Sequence, residues 1–438
     1  MAPHRDLHLL TCCAVIGALL APMCARGQAD STWKGLRHAM LAALSAGDSD
    51  GYRTQLGRLQ HQVGTTPRLA TELALAAFRA RDTASGMRWS RNLAAMGVPF
   101  DTSLVAPYVA PGQHAVLDSM LSSNLAAMSV IDRSRMVWRL ADPDMIAEDV
   151  GYDAPRQRFL VSSVRRGAIY SVDRLGRVTS FISPGARGVW GILALGVDVA
   201  HGVLWATTAA FPGAARYTAA DSARSALLEY DLVTGMLRRR LVPPDSGPHA
   251  LGDLTVGPDG TVYVSDGFGG GVYALGPGAP AMHALVPAGT FSSPQTPALD
   301  VAHHRLFVPD YAFGIAAIDL VSGRWRWLQH QDSLPLTGID GLYHVGRDLV
   351  AVQNGLTPNR IVRLGLDGQD RIVSTRVLVR AGEGIDLNHA LWRAGQLYFI
   401  ARSGWDRVAP DGAMTHGLAA DRPAIRRVAC RQRSAGSE

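Results

Sequence analysis

Lysine is almost absent from this chain of 438 residues. Lys34 is the only lysine, so nearly all of the 43 basic residues are arginines, and these are scattered along the sequence. A nucleic-acid-binding domain normally carries its basic residues as a patch or stripe. The formal net charge of +6 therefore does not predict nucleic acid as a partner.

Cysteine is nearly as scarce. Three of the four cysteines, Cys12, Cys13 and Cys24, lie close to the N-terminus, and only Cys430 lies elsewhere. A single cysteine cannot form an internal disulfide, and it cannot build a cysteine-type zinc site. We therefore expect the fold to be stabilised by its own hydrophobic core.

Long hydrophobic runs are missing except at the N-terminus. Arg5 followed by the apolar residues 9–20 is typical of a signal peptide and is too short to span a bilayer as a helix. Small residues predict cleavage after Ala29, which makes residues 1–29 the signal. A lipoprotein signal ending at Cys24 is the alternative. The sequence thus predicts a periplasmic or secreted protein without a membrane span.

The next segment, residues 30–133, has helical periodicity. Leu36, Met40 and Leu44 recur every four residues, and Thr66 followed by Pro67 is a helix-start signal. We predict a small all-α domain of helical hairpins, similar to tetratricopeptide-like repeats. A plain helical bundle is the favoured interpretation, and a module that binds a protein partner is the alternative.

From about residue 145 a short apolar motif recurs. Its six copies are FLVSS (159–163), LWATT (204–208), VYVSD (262–266), LFVPD (306–310), LVAVQN (349–354) and LYFIAR (397–402). Each copy lies between two other apolar strands bounded by turn residues, and a period of about 40–50 residues is typical of a propeller. We predict a mainly β fold, a six-bladed β-propeller over residues 134–425, with 426–438 as a C-terminal tail. The segment MVWRL at 136–140 is expected to close the ring by joining the last blade.

The best-formed repeat unit covers residues 338–368, and Asp340 begins its first strand. In a propeller the first strand of each blade lines a central channel, so residues at the starts of these strands converge at one mouth. The polar residues at this position are Glu148, Asp253, Gln295, Asp340, and the Asp386/Asn388 pair, whereas the second blade has only apolar residues there. The sequence predicts a polar site at the mouth.

The predicted set is rich in oxygen. Hard oxygen ligands favour Ca²⁺, or another divalent cation such as Mg²⁺ or Mn²⁺. Glu148 stands out because the chain has few glutamates. Each acid could instead only accept hydrogen bonds from backbone N–H groups, as Asp often does at turns.

Residues 145–412 resemble the SMP-30/gluconolactonase/LRE-like family of six-bladed propellers. Stretches that carry the resemblance include LGDLTVGPDGTVYVSDGFGGGVYAL and GIDGLYHVGRDLVAVQNG. The resemblance implies a divalent metal held by Glu148 and Asp340. This chain differs from the family pattern at two positions where the family has asparagines: it has Gly252-Asp253 and Pro294-Gln295-Thr296 there. Asp253 and Gln295 are the expected substitutes among the metal ligands.

The resemblance further implies hydrolysis of a lactone or ester bound at the mouth. Asp340 is the expected catalytic base, and His389 is the alternative base. We expect Asp386, Asn388 and His389 to bind the small-molecule substrate. The changed asparagine positions leave a second interpretation open, a non-catalytic propeller that binds a ligand or a protein through a degenerate metal site.

Overall fold

The computed structural model describes residues 33–98, 100–126, 128–185, 188–331, 333–382, 385–409, 411–418 and 421–430. The predicted signal peptide, with its cleavage position after Ala29 and the alternative at Cys24, lies outside these residues. Within the described ranges, no helix is both long enough and apolar enough to cross a membrane.

Five α-helices precede the β structure, as the periodicity predicts. They are α1 (Trp33–Ser45), α2 (Ser49–Val63), α3 (Pro67–Arg79), α4 (Thr83–Met96) and α5 (Pro111–Ala126). The Thr66 hydroxyl accepts a hydrogen bond from the Leu69 N–H at 3.2 Å and so caps α3. Gly97 ends α4 in the left-handed conformation (φ 70°), which glycine adopts without strain.

The remainder is a six-bladed β-propeller, so the predicted fold is confirmed. The two short strands that precede the first complete blade are β1 (Ile131–Asp132) and β2 (Arg135–Arg139). Blade 1 consists of β3 (Ala147–Asp153), β4 (Arg158–Ser163), β5 (Ala168–Val172) and β6 (Val178–Ile182); blade 2 of β7 (Gly191–Asp198), β8 (Val203–Ala209), β9 (Ser225–Asp231) and β10 (Leu237–Leu241); blade 3 of β11 (Leu251–Val256), β12 (Val262–Asp266), β13 (Val272–Leu275) and β14 (His283–Val286).

Blade 4 consists of β15 (Ala298–Asp300), β16 (Arg305–Asp310), β17 (Gly314–Asp319) and β18 (Trp325–Trp327); blade 5 of β19 (Ile339–Val345), β20 (Asp348–Gln353), β21 (Arg360–Leu366) and β22 (Ile372–Arg380); blade 6 of β23 (Leu387–Arg393), β24 (Gln396–Ala401) and β25 (Ala424–Ala429). The first strand of each blade is its inner strand, and contacts between β23 and β3 close the ring.

Strand β2 completes blade 6. It pairs antiparallel with β25, and β1 pairs with the outer strand of blade 5. The last blade therefore combines the two ends of the propeller sequence, which confirms the prediction for the segment at 136–140. Strand β25 continues to Ala429, beyond the predicted domain boundary at residue 425.

Five of the six inner strands contain a β-bulge near their first residues. The register shifts lie at Ala147/Val150, Ile192/Leu195, Leu251/Asp253, Ile339/Gly341 and Leu387/Ala390. A bulge leaves residues unpaired and re-aims their side chains. The bulges include or adjoin the predicted mouth residues Glu148, Asp253, Asp340 and Asn388, whereas the inner strand that follows Gln295 has none.

In blades 1 and 2, a hydroxyl group of the repeated second-strand motif satisfies the bulge and links it to the next blade. The Thr207 hydroxyl accepts from the Ala194 N–H at 2.9 Å and donates to the Gly252 carbonyl of the next blade at 2.8 Å. Ser162 does the same between the Asp149 N–H and the Leu193 carbonyl, at 2.9 and 2.6 Å. The hydroxyl in VSS and ATT is therefore a connection between blades.

The helical region packs on the loops at the end of the ring where the inner strands begin. The Trp33 indole N–H donates to the Thr290 carbonyl at 3.0 Å, and its ring meets Phe313 edge-on at 5.3 Å. Leu356 packs against the core between α3, α4 and α5. The helices thus lie on the same side of the ring as the mouth of the channel.

Candidate functional site

Four ionisable side chains converge at the mouth of the channel, and we call them the channel cluster: Glu148 on β3, Asp253 on β11, Asp340 on β19 and His389 on β23. The ligand atoms of Glu148, Asp340 and His389 all lie within 4.8 Å of one another. Glu148, Asp340 and His389 come from blades 1, 5 and 6, and Asp253 comes from blade 3. The bulges in their strands turn these side chains towards the channel axis.

His389 lies at the centre of the channel cluster. Its Nε2 atom is 2.9 Å from Asp253 Oδ1 and 3.6 Å from Asp340 Oδ1. Nε2 makes no hydrogen bond to either oxygen. Burial alone lowers the pKa of His389, but the charges of Asp253 and Asp340 together raise its pKa well above the ordinary range.

Glu148 is an acid of the channel cluster whose pKa is strongly raised. Burial raises its pKa to about 8, an effect opposed by His389 and reinforced by Asp340. Its carboxylate accepts hydrogen bonds from the Asn388 amide at 3.0 Å and from the Trp405 indole. Two neutral donors thus fix its orientation.

Asp340 is the most accessible member. Its side chain is 14% exposed, against 3% for His389 and 4% for Asp253. Burial raises its pKa, but His389 and a hydrogen bond from Asn354 outweigh burial and hold the pKa below the usual value. Asn354 Nδ2 donates to Asp340 Oδ2 at 2.6 Å. The Oδ1 atom remains available at the mouth.

Two predicted site residues do not join the channel cluster. The Gln295 amide donates to the Ser293 hydroxyl and carbonyl, at 2.8 and 3.2 Å, so it turns away from the predicted ligand position. Its neighbour Thr296 lies there instead and donates to Asp253 Oδ1 at 3.0 Å. Asp386 accepts from the Ser403 hydroxyl and the Gly404 N–H, so its carboxylate is engaged by the loop that follows β24.

Asn388 lies at the mouth, but its amide contacts protein groups. Its Nδ2 donates to Glu148, and its Oδ1 accepts the His389 backbone N–H at 2.9 Å. In this structure Asn388 therefore orients the two neighbouring members of the channel cluster. Its predicted role in binding substrate stays a prediction.

Sequence reasoning missed Asn354, Trp405 and Thr296. Asn354 and Trp405 follow the second strands of blades 5 and 6. A signal was present, because antiparallel second strands end on the side of the sheet where first strands begin. Residues just after each copy of the repeated motif must therefore border the same mouth.

A cavity of ≈ 350 Å³ occupies the channel below the channel cluster, and Asp149, Thr296 and Tyr343 lie among its lining residues. Asp149 accepts hydrogen bonds from the Val150 and Leu195 N–H groups, both at 2.7 Å. Burial raises the pKa of Asp149 to about 6, although His389 opposes this rise. The two residues of one bulge, Glu148 and Asp149, thus serve the mouth and the cavity respectively.

No protein-family model matches the chain, and a search of curated proteins finds no match. Three solved structures illustrate its structural similarities. A PQQ-bound aldose sugar dehydrogenase from Streptomyces coelicolor is 17% identical, with a TM-score of 0.46 over 68% of this chain and 97% of the other. A gluconolactonase from Xanthomonas campestris is 14% identical (TM-score 0.47, 69% and 92%), and a streptogramin B lyase is 13% identical (TM-score 0.44, 67% and 96%). Similarities at this level do not bear on substrate or cofactor.

Proposed function

We propose that this protein is a hydrolase that uses a divalent cation at the mouth of the channel to open a lactone or cleave an ester. The observation that carries this proposal is the channel cluster itself, in which the ligand atoms of Glu148, Asp340 and His389 lie within 4.8 Å of one another. Burying several like charges together is costly unless a positive charge compensates them. Perturbed ionisable groups held in this way are typical of functional sites.

The cation and Asp340 have different roles in the proposed hydrolysis. A bound cation would polarise the substrate carbonyl and stabilise the oxyanion that forms on it. Asp340 is both a ligand of the cation and the proton acceptor for a water bound beside it. Asn354 occupies Oδ2, so Oδ1 serves both roles, and Asp340 is the most exposed member of the channel cluster. Water adds to the acyl carbon and its proton passes to Asp340; the acyl C–O bond then breaks as Asp340 returns that proton to the leaving oxygen.

The experiment measures hydrolysis of a panel of lactones and aryl esters by the purified protein, before and after chelator treatment. We expect turnover that is lost with chelator and restored by a divalent cation. Asp340→Asn should lower kcat by about 10²- to 10⁴-fold, the usual contribution of a general base. The control is Asp259→Asn, since Asp259 lies on an exposed turn where it accepts from Thr261 and Asn can do the same.

Two results would contradict the proposal. One is the absence of turnover with every substrate while a cation binds normally, which would favour a non-catalytic binding propeller. The other is turnover that Asp340→Asn leaves unchanged.

A further inference from the structure

We propose that His389 is itself a metal ligand and that the site therefore takes a first-row transition ion such as Mn²⁺, Fe²⁺ or Zn²⁺ rather than Ca²⁺. This inference rests on the proposed cation site and specifies which ion it holds. The ligands would be the Nε2 atom of His389 and carboxylate oxygens of Glu148, Asp253 and Asp340. The first reason is the tautomer that the surroundings of His389 require.

His389 Nδ1 lies 3.2 Å from the backbone carbonyl oxygen of Glu148. A carbonyl oxygen only accepts, so Nδ1 must carry the hydrogen and donate it. In the neutral ring Nε2 then has a free lone pair. Histidines that bind metals commonly donate their other ring N–H to a backbone carbonyl in this way, which fixes the tautomer and the ring orientation.

The second reason is that Nε2 has no hydrogen-bond partner, although His389 is only 2% exposed. An unsatisfied buried polar atom costs about 1–3 kcal/mol, so such atoms in native proteins normally have a function. This atom faces the oxygens of Asp253 and Asp340, at 2.9 and 3.6 Å. Among these carboxylates Nε2 needs a positive charge beside it, which is either a proton on the ring or a metal ion between Nε2 and the oxygens.

The spacing of these atoms fits a small ion. Two ligands that each lie about 2.1 Å from one ion are about 3.0 Å apart at a right angle and about 3.4 Å apart at a tetrahedral angle. The observed separations from Nε2, 2.9 and 3.6 Å, fall close to these values. Ligands of Ca²⁺, at about 2.3–2.6 Å from the ion, can have similar separations, so the spacing shows that an ion fits and the donor atoms decide which ion.

The third reason is that the two nearby asparagine oxygens each already accept a hydrogen bond from a protein group. Ca²⁺ takes about six to eight oxygens, amide carbonyls among them. Asn388 Oδ1 accepts from the His389 N–H at 2.9 Å, and Asn354 Oδ1 accepts from the Tyr311 hydroxyl at 3.1 Å. Gln295 turns towards Ser293. Imidazole nitrogen with carboxylates is instead a donor set that suits Zn²⁺, Fe²⁺ and Mn²⁺.

The test uses the full-length protein freed of metal by chelation. Binding of Ca²⁺, Mn²⁺, Co²⁺ and Zn²⁺ is measured by calorimetry and by the rise in melting temperature. The Cu²⁺-loaded protein is examined by electron paramagnetic resonance for coupling to an imidazole nitrogen. We expect the transition ions to bind at least about 10-fold more tightly than Ca²⁺, and we expect nitrogen coupling.

Two variants show whether the coupled imidazole nitrogen belongs to His389. His389→Gln should abolish the coupling and weaken binding of the transition ions by more than about 100-fold, since loss of an outer partner alone costs about 10- to 100-fold. His303→Gln is the control, because His303 lies on a turn where its side chain is 66% exposed. The wild-type spectrum and affinities test the inference even if His389→Gln does not fold.

The outcomes separate this inference from the proposed function. Tighter binding of Ca²⁺, or nitrogen coupling that persists in a folded His389→Gln variant, would overturn the role of His389 while leaving a cation-dependent hydrolase intact. Nitrogen-coupled binding without any hydrolysis would overturn the proposed function alone. Failure of every divalent cation to bind would overturn both, because a protonated His389 would then supply the positive charge of the channel cluster.

Discussion

Asn354 determines which oxygen of Asp340 can react. It donates to Oδ2 at 2.6 Å and accepts from the Tyr311 hydroxyl at 3.1 Å, so its amide is fixed from both sides. A carboxylate held through one oxygen presents the other in a defined direction, which lowers the entropic cost of binding a cation or a water molecule. Asn354 is therefore a positioning residue for Asp340.

We predict that Asn354→Ala weakens cation binding by about 10- to 100-fold, the usual cost of losing a group that orients a ligand. Tyr311→Phe should have a smaller effect, because Asn354 would keep its bond to Asp340. Calorimetric titration with the activating ion measures both, and the melting temperature of the metal-free protein shows whether either change merely unfolds it. Equal affinities in wild type and Asn354→Ala would exclude the positioning role.

Only some residues of the site could be predicted from the sequence. Glu148, Asp253 and Asp340 could be placed at the mouth, because each begins the first strand of a blade. Gln295 and Asp386 do not join the channel cluster, because their side chains contact Ser293 and Ser403 instead; their predicted roles stay predictions. Thr296 follows Gln295 directly, and a shift of one residue along an extended chain turns a side chain to the other face. The repeat period does not resolve such a shift.

At the level of elements, the bulges in the inner strands create the site. Without its bulge β3 would alternate regularly, and Glu148 and Asp149 would point to opposite faces of the blade. Bulges have no reliable sequence signature, so their number and position could not be predicted. Their hydroxyl partners were visible in the sequence as VSS and ATT, but those residues could equally have been surface positions of strands.

Thr207 tests whether these hydroxyls stabilise the ring. Thr207→Val keeps the shape of the side chain but leaves the Ala194 N–H and the Gly252 carbonyl without their partner. We expect the free energy of unfolding to fall by about 1–3 kcal/mol, and Thr207→Ser should restore most of it. Denaturant titration measures both. Thr179→Val, on the outer strand β6 where Thr179 is exposed, is the matched control.

A loss at Thr207 no larger than at Thr179 would show that the bond between blades contributes nothing. It would also indicate that the bulges are held by packing alone.

For the whole molecule, the repeat period was enough to predict six blades and the strand that closes the ring. Each of the six similar units buries its hydrophobic face only by stacking on its neighbours. The period is therefore a property of the whole chain, and it stays recognisable when a single strand is predicted wrongly. The helical region could be predicted as helices, but its position on the ring could not. That position depends on contacts such as Trp33 with Phe313, which no local pattern encodes.

Ring closure has a weakness that can be measured. Blade 6 is held by the pairing of β2 with β25, and in that pairing Arg135 lies directly opposite Arg427. Like charges opposite each other in a sheet are destabilising. Opening of the ring should therefore begin where these two strands meet.

A disulfide across this pair would remove the like charges and connect the two ends of the propeller. Directly paired antiparallel residues have Cα atoms about 4.5–5.5 Å apart, which is within the range of a disulfide. We expect Arg135→Cys/Arg427→Cys to raise the free energy of unfolding by about 2–4 kcal/mol when oxidised. Melting in the presence and absence of reductant measures the gain, and each single cysteine variant serves as a control for the lost arginine. If the oxidised and reduced forms of the double variant melt at the same temperature, unfolding begins elsewhere in the ring.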